Sequence, residues 1–165
     1  MFPSTDSPLA DIPFTHVPWR QGDLHRVRPE VFRERVEAEL ARHARYLTGA
    51  GILRIGPRRG RLGSEALREA VETETRRTDT VCSYPDGSQA VLAIHADQRA
   101  LQVLERRLTR VAREIAREQD GSLPDFASGL AAAGDRRLEA DELWMAANEA
   151  IDDAMETADD AVWAG

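Results

Sequence analysis

Lysine is absent from this chain of 165 residues, and all 22 basic side chains are arginine. The bias fits a GC-rich genome, and the planar guanidinium also suits bidentate contacts to phosphate. Cysteine occurs once, as Cys82. A single thiol excludes an internal disulfide and fits a reducing compartment. Its place inside an apolar run reads as packing rather than reactivity. No apolar run approaches the length that spans a bilayer, and the N-terminus has no basic-then-apolar leader pattern. The expectation is a cytoplasmic protein that does not engage membrane. A Walker-type phosphate loop and a Ser/His/Asp or Cys/His constellation are also missing. His16 and His25 have no companions at metal-ligand spacing, so no metal site is expected from them.

Acidic and basic residues are unevenly spread over a net charge of −7. Residues 135–165 contain ten Asp and Glu against Arg136 and Arg137, which is −8, leaving the remainder at +1. That balance argues against a nucleic-acid-binding surface. The acidic end reads as a solvated helix face or as a docking surface for a basic protein partner.

Four of the eight prolines fall within the first 18 residues. Residues 1–27 therefore read as an extended arm, with Phe14, Val17 and Trp19 as candidate anchors. Pro29 opens a helix in the first-turn position, and Val31, Phe32, Val36, Leu40 and Leu47 carry its apolar stripe. Ile52-Leu53-Arg54-Ile55 is a short buried strand. Ser64 caps a helix predicted to reach about Arg77. Asp97 caps a long helix on which Leu101, Leu104, Leu108, Val111 and Ile115 share one face. A fourth strand follows Leu123-Pro124. The last helix starts near Glu139, with Leu143, Trp144, Ala147, Ile151 and Met155 as its apolar set.

The strongest local signal lies between the second and third helices. Two apolar runs, Thr80 to Tyr84 and Gln89 to Ile94, flank Pro85-Asp86-Gly87-Ser88, whose residues each favour a turn for a separate reason. The order helix, strand, helix, hairpin, helix, strand, helix points to an α+β fold with an antiparallel sheet. Four or five strands are expected, with the hairpin at residues 80–94 in the centre.

This hairpin resembles the catalytic hairpin of GGDEF-type (diguanylate cyclase) domains. Arg76-x-x-Asp79 stands at the family's distance before the turn, Tyr84 fills its tyrosine position, and Val91-Leu92-Ala93-Ile94 is similar to the return strand. Residues 28–40 resemble the opening helix, Phe126-Ala127-Ser128-Gly129-Leu130-Ala131 a Ser-Ile-Gly-Val-Ala strand, and residues 140–151 the final helix. The resemblance implies a palm-like, ferredoxin-related fold over residues 28–158, with a short acidic tail at 159–165.

It also implies what is missing. The family's metal-binding aspartate falls on Arg54, its acidic turn residue on Gly87 or Ser88, and its phosphate-binding lysine on Met155. The guanine-binding segment is shortened to Arg59-Gly60-Arg61-Leu62-Gly63. A catalytically inactive domain, without catalytic residues or cofactors, is therefore expected. Family members often bind cyclic di-GMP at a second site built on Arg-x-x-Asp, which here is Arg76 and Asp79, completed by Arg106 or its neighbours Arg107 and Arg110. Arginine forks onto phosphate or guanine, and aspartate accepts from guanine N–H groups. Arg20-x-x-Asp23 and Arg117-x-x-Asp120 fit the same pattern without the context. A second arginine group, Arg54, Arg58, Arg59 and Arg61, reads as an anion patch or a solvated loop. Two readings stand at this point: a receptor for cyclic di-GMP, or a ligand-free module for protein–protein interaction or homodimerisation.

Overall fold

The computed structural model describes residues 26–164, with side chains as far as Thr157. The proline-rich arm, including Phe14, Val17 and Trp19, lies outside the described residues up to position 25. Four helices and four strands follow: α1 (Pro29–Tyr46), β1 (Ala50–Pro57), α2 (Ser64–Glu74), β2 (Thr80–Ser83), β3 (Gln89–Ile94), α3 (Gln98–Asp120), β4 (Phe126–Ala132) and α4 (Ala140–Ala164). No helix among the described residues is long and apolar enough to cross a membrane.

The strands form one antiparallel sheet in the order β2-β3-β1-β4. This is the expected α+β, ferredoxin-related architecture. The hairpin is not central, however: β2 lies at one edge and β1 in the interior, between β3 and β4. The physical reason is burial. Almost every residue of β1 is buried, as suits a strand covered on both faces and paired on both sides. Arg26 and Val27, expected in the arm, instead touch the outer edge of β2, where the Val27 N–H donates to the Val81 carbonyl at 2.8 Å.

Two apolar layers sandwich the sheet. Leu53, Ile55, Val81 and Val91 pack on one side with Leu67 and Val71 of α2 and Leu101, Leu104 and Leu108 of α3. Ile52, Cys82, Ala90 and Leu92 pack on the other with Phe32 and Val36 of α1 and Leu143 and Ala147 of α4. The alternation along β1 and β3 sends successive side chains to opposite layers. Cys82 is buried, and burial pushes its thiol above the ordinary value, consistent with a packing role.

Asp97 caps α3 as expected, its side chain accepting from the Ala100 N–H at 2.8 Å. Ser64 is instead the first helical residue of α2, with Gly63 in the cap position. That helix ends at Glu74 rather than Arg77 because Thr75 turns to extended backbone, its hydroxyl bonded back to the Val71 carbonyl at 2.6 Å. α4 runs on to Ala164, into the residues expected as a short acidic tail.

Candidate ligand-binding site

The position expected to hold a metal-binding carboxylate is occupied by a guanidinium that the surrounding protein engages from several sides. Arg54 of β1 points into the layer shared with α1 and α4. Its Nη2 donates to Ser88 Oγ at 2.8 Å, and Nη1 donates to Asn148 Oδ1 of α4. The guanidinium carbon lies 4.7 Å from the Tyr84 ring centroid and 5.0 Å from that of Trp144. Both are within cation–π range. Tyr84 and Trp144 are themselves in contact, and Trp144 meets Phe32 edge-on at 5.8 Å. Burial draws the Arg54 guanidinium below its ordinary value, opposed by Tyr84 and Asp86.

Asp86, the one carboxylate of the turn, is folded back on Ser88. Its Oδ1 accepts from the Ser88 N–H at 2.9 Å and from the Ser88 hydroxyl at 2.6 Å. Partial burial raises its carboxyl, but these bonds and Arg54 outweigh that and hold it below the usual carboxylate range. A divalent cation does not fit this arrangement, because it needs carboxylate oxygens where the guanidinium stands. Among the described residues no group of three His, Cys, Asp or Glu could hold a metal ion.

Tyr84 gives this cluster a pH signature. Burial pushes its phenol well above the ordinary value of 10.0. A phenol raised in the folded state contributes stability that is intact below pH 10 and declines above it, as the unfolded chain ionises first. Denaturant titrations across that range should show a steeper alkaline loss for the wild type than for Tyr84→Phe. Equal slopes would mean that the ring is solvated.

The other arginines of the expected anion patch serve separate acceptors. Arg58 donates to the Phe126 carbonyl at 3.1 Å and the Ala154 carbonyl at 3.3 Å, and pairs with Asp125 at 3.3 Å. Arg61 donates to the Pro85 carbonyl of the turn. Arg59 is exposed. Arg54, Arg58 and Arg61 thus bind α4, β4 and the hairpin turn to one another.

At the corner between α2 and β2, Asp79 is 4% exposed. Its Oδ2 accepts from the Arg76 N–H at 3.0 Å, and the Asp79 N–H donates to the Arg76 carbonyl at 3.0 Å. The motif thereby closes its own loop and leaves Arg76 and Arg77 exposed at the end of α2. Arg107 of α3 reaches the same end, donating to the Glu74 carbonyl at 3.1 Å and facing the Glu74 carboxylate at 3.7 Å. Arg106 is exposed and lines an open groove of about 370 Å³ along α3 with Arg110 and Arg113. The arginine that contacts the end of α2 is Arg107, one position from the one expected first.

Sequence reasoning missed the partners of Arg54 on α4. In the sequence Trp144 reads as part of the apolar stripe, and Asn148 carries no motif. Their i, i+4 spacing was the available signal, because it sets both on one helix face.

Comparison with solved structures decides what this architecture is. The GGDEF domain of YfiN (TpbB) from Pseudomonas aeruginosa is similar with a TM-score of 0.68 at 17% identity, over 81% of this chain and 87% of that one. The fold is that of a GGDEF domain. The FimX GGDEF domain from Pseudomonas aeruginosa is similar with a TM-score of 0.64 at 14% identity, over 79% of this chain and 89% of the other. The GGDEF domain of DgcB from Caulobacter crescentus, solved in complex with c-di-GMP, gives 0.65 at 9% identity, over 80% of this chain and 84% of the other. No family model and no curated protein matches the sequence. The likeness to the GGDEF-type fold extends from the hairpin to the whole sheet and the helices on both faces.

Proposed function

We propose that this chain is a catalytically inactive GGDEF-type regulatory domain that binds cyclic di-GMP at the α2–β2 corner. The observation that carries the reading is the corner itself. Asp79 is buried and bonded to the Arg76 backbone, so the loop is held in shape while Arg76 is exposed. In this role Arg76 forks onto phosphate or the guanine edge, and Asp79 holds the loop that presents it. Arg107, already at the end of α2, supplies a second cation in preference to Arg106.

Loss of catalysis is supported by Arg54. Joining two nucleoside triphosphates requires charge on the metal-bound phosphates to be neutralised and held in line. The carboxylates for that task are replaced by a guanidinium engaged with Ser88, Asn148, Tyr84 and Trp144. With GTP and Mg²⁺ or Mn²⁺, the protein is expected to form no cyclic dinucleotide above background. Product that disappears on Asp86→Ala would overturn this part of the reading.

One observation favours the second reading, a ligand-free interaction module. An Asp79 oxygen already serves its own loop, as a purely structural aspartate would. Calorimetry with cyclic di-GMP separates the two: saturable heat supports the receptor, and no heat at high micromolar ligand leaves the interaction module.

A further inference from the structure

The two long helices that cover opposite faces of the sheet carry opposite charge on their outward faces. α3 buries Leu101, Leu104, Leu108 and Ala112. Diametrically opposite lie Arg99, Val103, Arg106, Arg110, Arg113 and Arg117, all exposed, at alternating steps of four and three. α4 buries Leu143, Ala147 and Ile151. Its exposed line is Glu142, Met145, Glu149, Asp152 and Glu156, at steps of three and four. Every charged residue of α4 is acidic. Each line carries one exposed apolar side chain, Val103 at 50% and Met145 at 53%. At 1.5 Å per residue the arginine line is about 27 Å long and the acidic line about 21 Å.

We infer that these faces are the two halves of one interface, in which α3 of one molecule lies against α4 of a second copy of the chain. Charge selects both the occupant and the geometry. A net charge of −7 opposes contact between copies except where an arginine line meets an acidic one. Contacts of α3 with α3, or of α4 with α4, set like charges together, so neither face can form a two-fold dimer. The pairing is head-to-tail, and such contacts propagate unless the rotation closes a ring. Within the molecule, Arg110 is shared with Glu114 at 3.5 Å and Arg113 with Asp125 at 2.9 Å. Both are exposed pairs that exchange partners at little cost. The contact uses none of Arg76, Asp79 and Arg107, the residues of the proposed nucleotide site, so its test is separate from that of nucleotide binding.

Sedimentation velocity of the full chain at high micromolar concentration tests this. Assemblies larger than the monomer are expected at about 0.1 M salt and should dissociate at about 1 M, as the Debye length falls from about 10 to about 3 Å. Arg106→Glu with Arg110→Glu, and separately Glu149→Arg with Asp152→Arg, should each weaken self-association about tenfold or more. Mixing the two double variants should restore association, because each supplies the face complementary to the other's. Arg106→Gln with Arg110→Gln removes charge without reversing it and should give an intermediate loss. All these positions are exposed, and unchanged circular dichroism would verify the fold of each variant. A wild type that stays monomeric at about 0.1 M salt, association that survives about 1 M salt, or mixing that restores nothing would each overturn the proposal.

Discussion

Gly129→Ala is expected to cost about 3 kcal/mol of folding stability, a large fraction of the stability of a domain this size. Gly129 lies in β4 opposite Arg54 and directly beneath α4. A Cβ there would stand 2.3 Å from the Ala147 carbonyl oxygen, 2.3 Å from the Ile151 nitrogen and 2.9 Å from the Ala150 carbonyl carbon. All three are backbone atoms, so no side-chain rotation relieves the clash, and α4 must lift from the sheet. Lifting it also draws Asn148 away from Arg54 and opens the layer around Leu143 and Ala147. Chemical denaturation would measure the loss. Gly121→Ala is the control: a Cβ meets nothing within 4 Å there, and only the left-handed backbone (φ of 74°) opposes it. That change should cost about 1 kcal/mol. A Gly129→Ala protein as stable as the control would show that α4 does not rest on β4.

Arg76→Ala is expected to weaken cyclic di-GMP about ten- to a hundredfold, the size of one lost bidentate pairing of about 1–3 kcal/mol. The side chain is exposed, so its removal should leave folding unchanged and isolate the binding term. Arg107→Ala should have the second-largest effect, because its guanidinium already reaches the end of α2. Arg117→Ala should leave affinity unchanged: it carries the same Arg-x-x-Asp pattern, but on the C-terminal turn of α3. Asp79→Asn keeps an oxygen to accept from the Arg76 N–H and should be milder than Asp79→Ala, which opens the loop. Calorimetry on this set reads all of these effects. An Arg76→Ala protein that binds as tightly as the wild type would remove the corner from the binding site.

Local patterning along the chain was enough to assign the elements and the fold class. Periodicity in residues 98–117, the Asp97 cap and the turn at Pro85–Ser88 are short-range chemistry, and each appears where its residues place it. β1 is longer, Ala50–Pro57, than the strand 52–55 that the sequence predicts, because Gly51, Gly56 and Pro57 signal turns. In the folded sheet the glycines serve close approach: a Cβ on Gly51 would lie 2.6 Å from Leu101 Cδ1, and one on Gly56 would lie 2.8 Å from Ser88 Cβ. Sequence register also set Arg76 with Asp79 before the hairpin, and Arg54 where the resemblance implies a metal-binding aspartate, since those assignments need only counting along the chain.

What surrounds these residues depends on the three-dimensional packing. The partners of Arg54 lie 34 residues away at Ser88 and 94 away at Asn148, brought together by strand order and the path of α4. Of the hairpin only β2 lies at the edge, and β1 takes the interior with β3 because β1 can be buried on both faces and paired on both sides. Arg107 rather than Arg106 meets the end of α2 because one helical step of about 100° separates them, and the packing of α3 against α2 sets which of them faces it. Local propensity sets where a helix or turn forms. Which side chains meet is set by packing between segments far apart in sequence, and that information is distributed over the whole core.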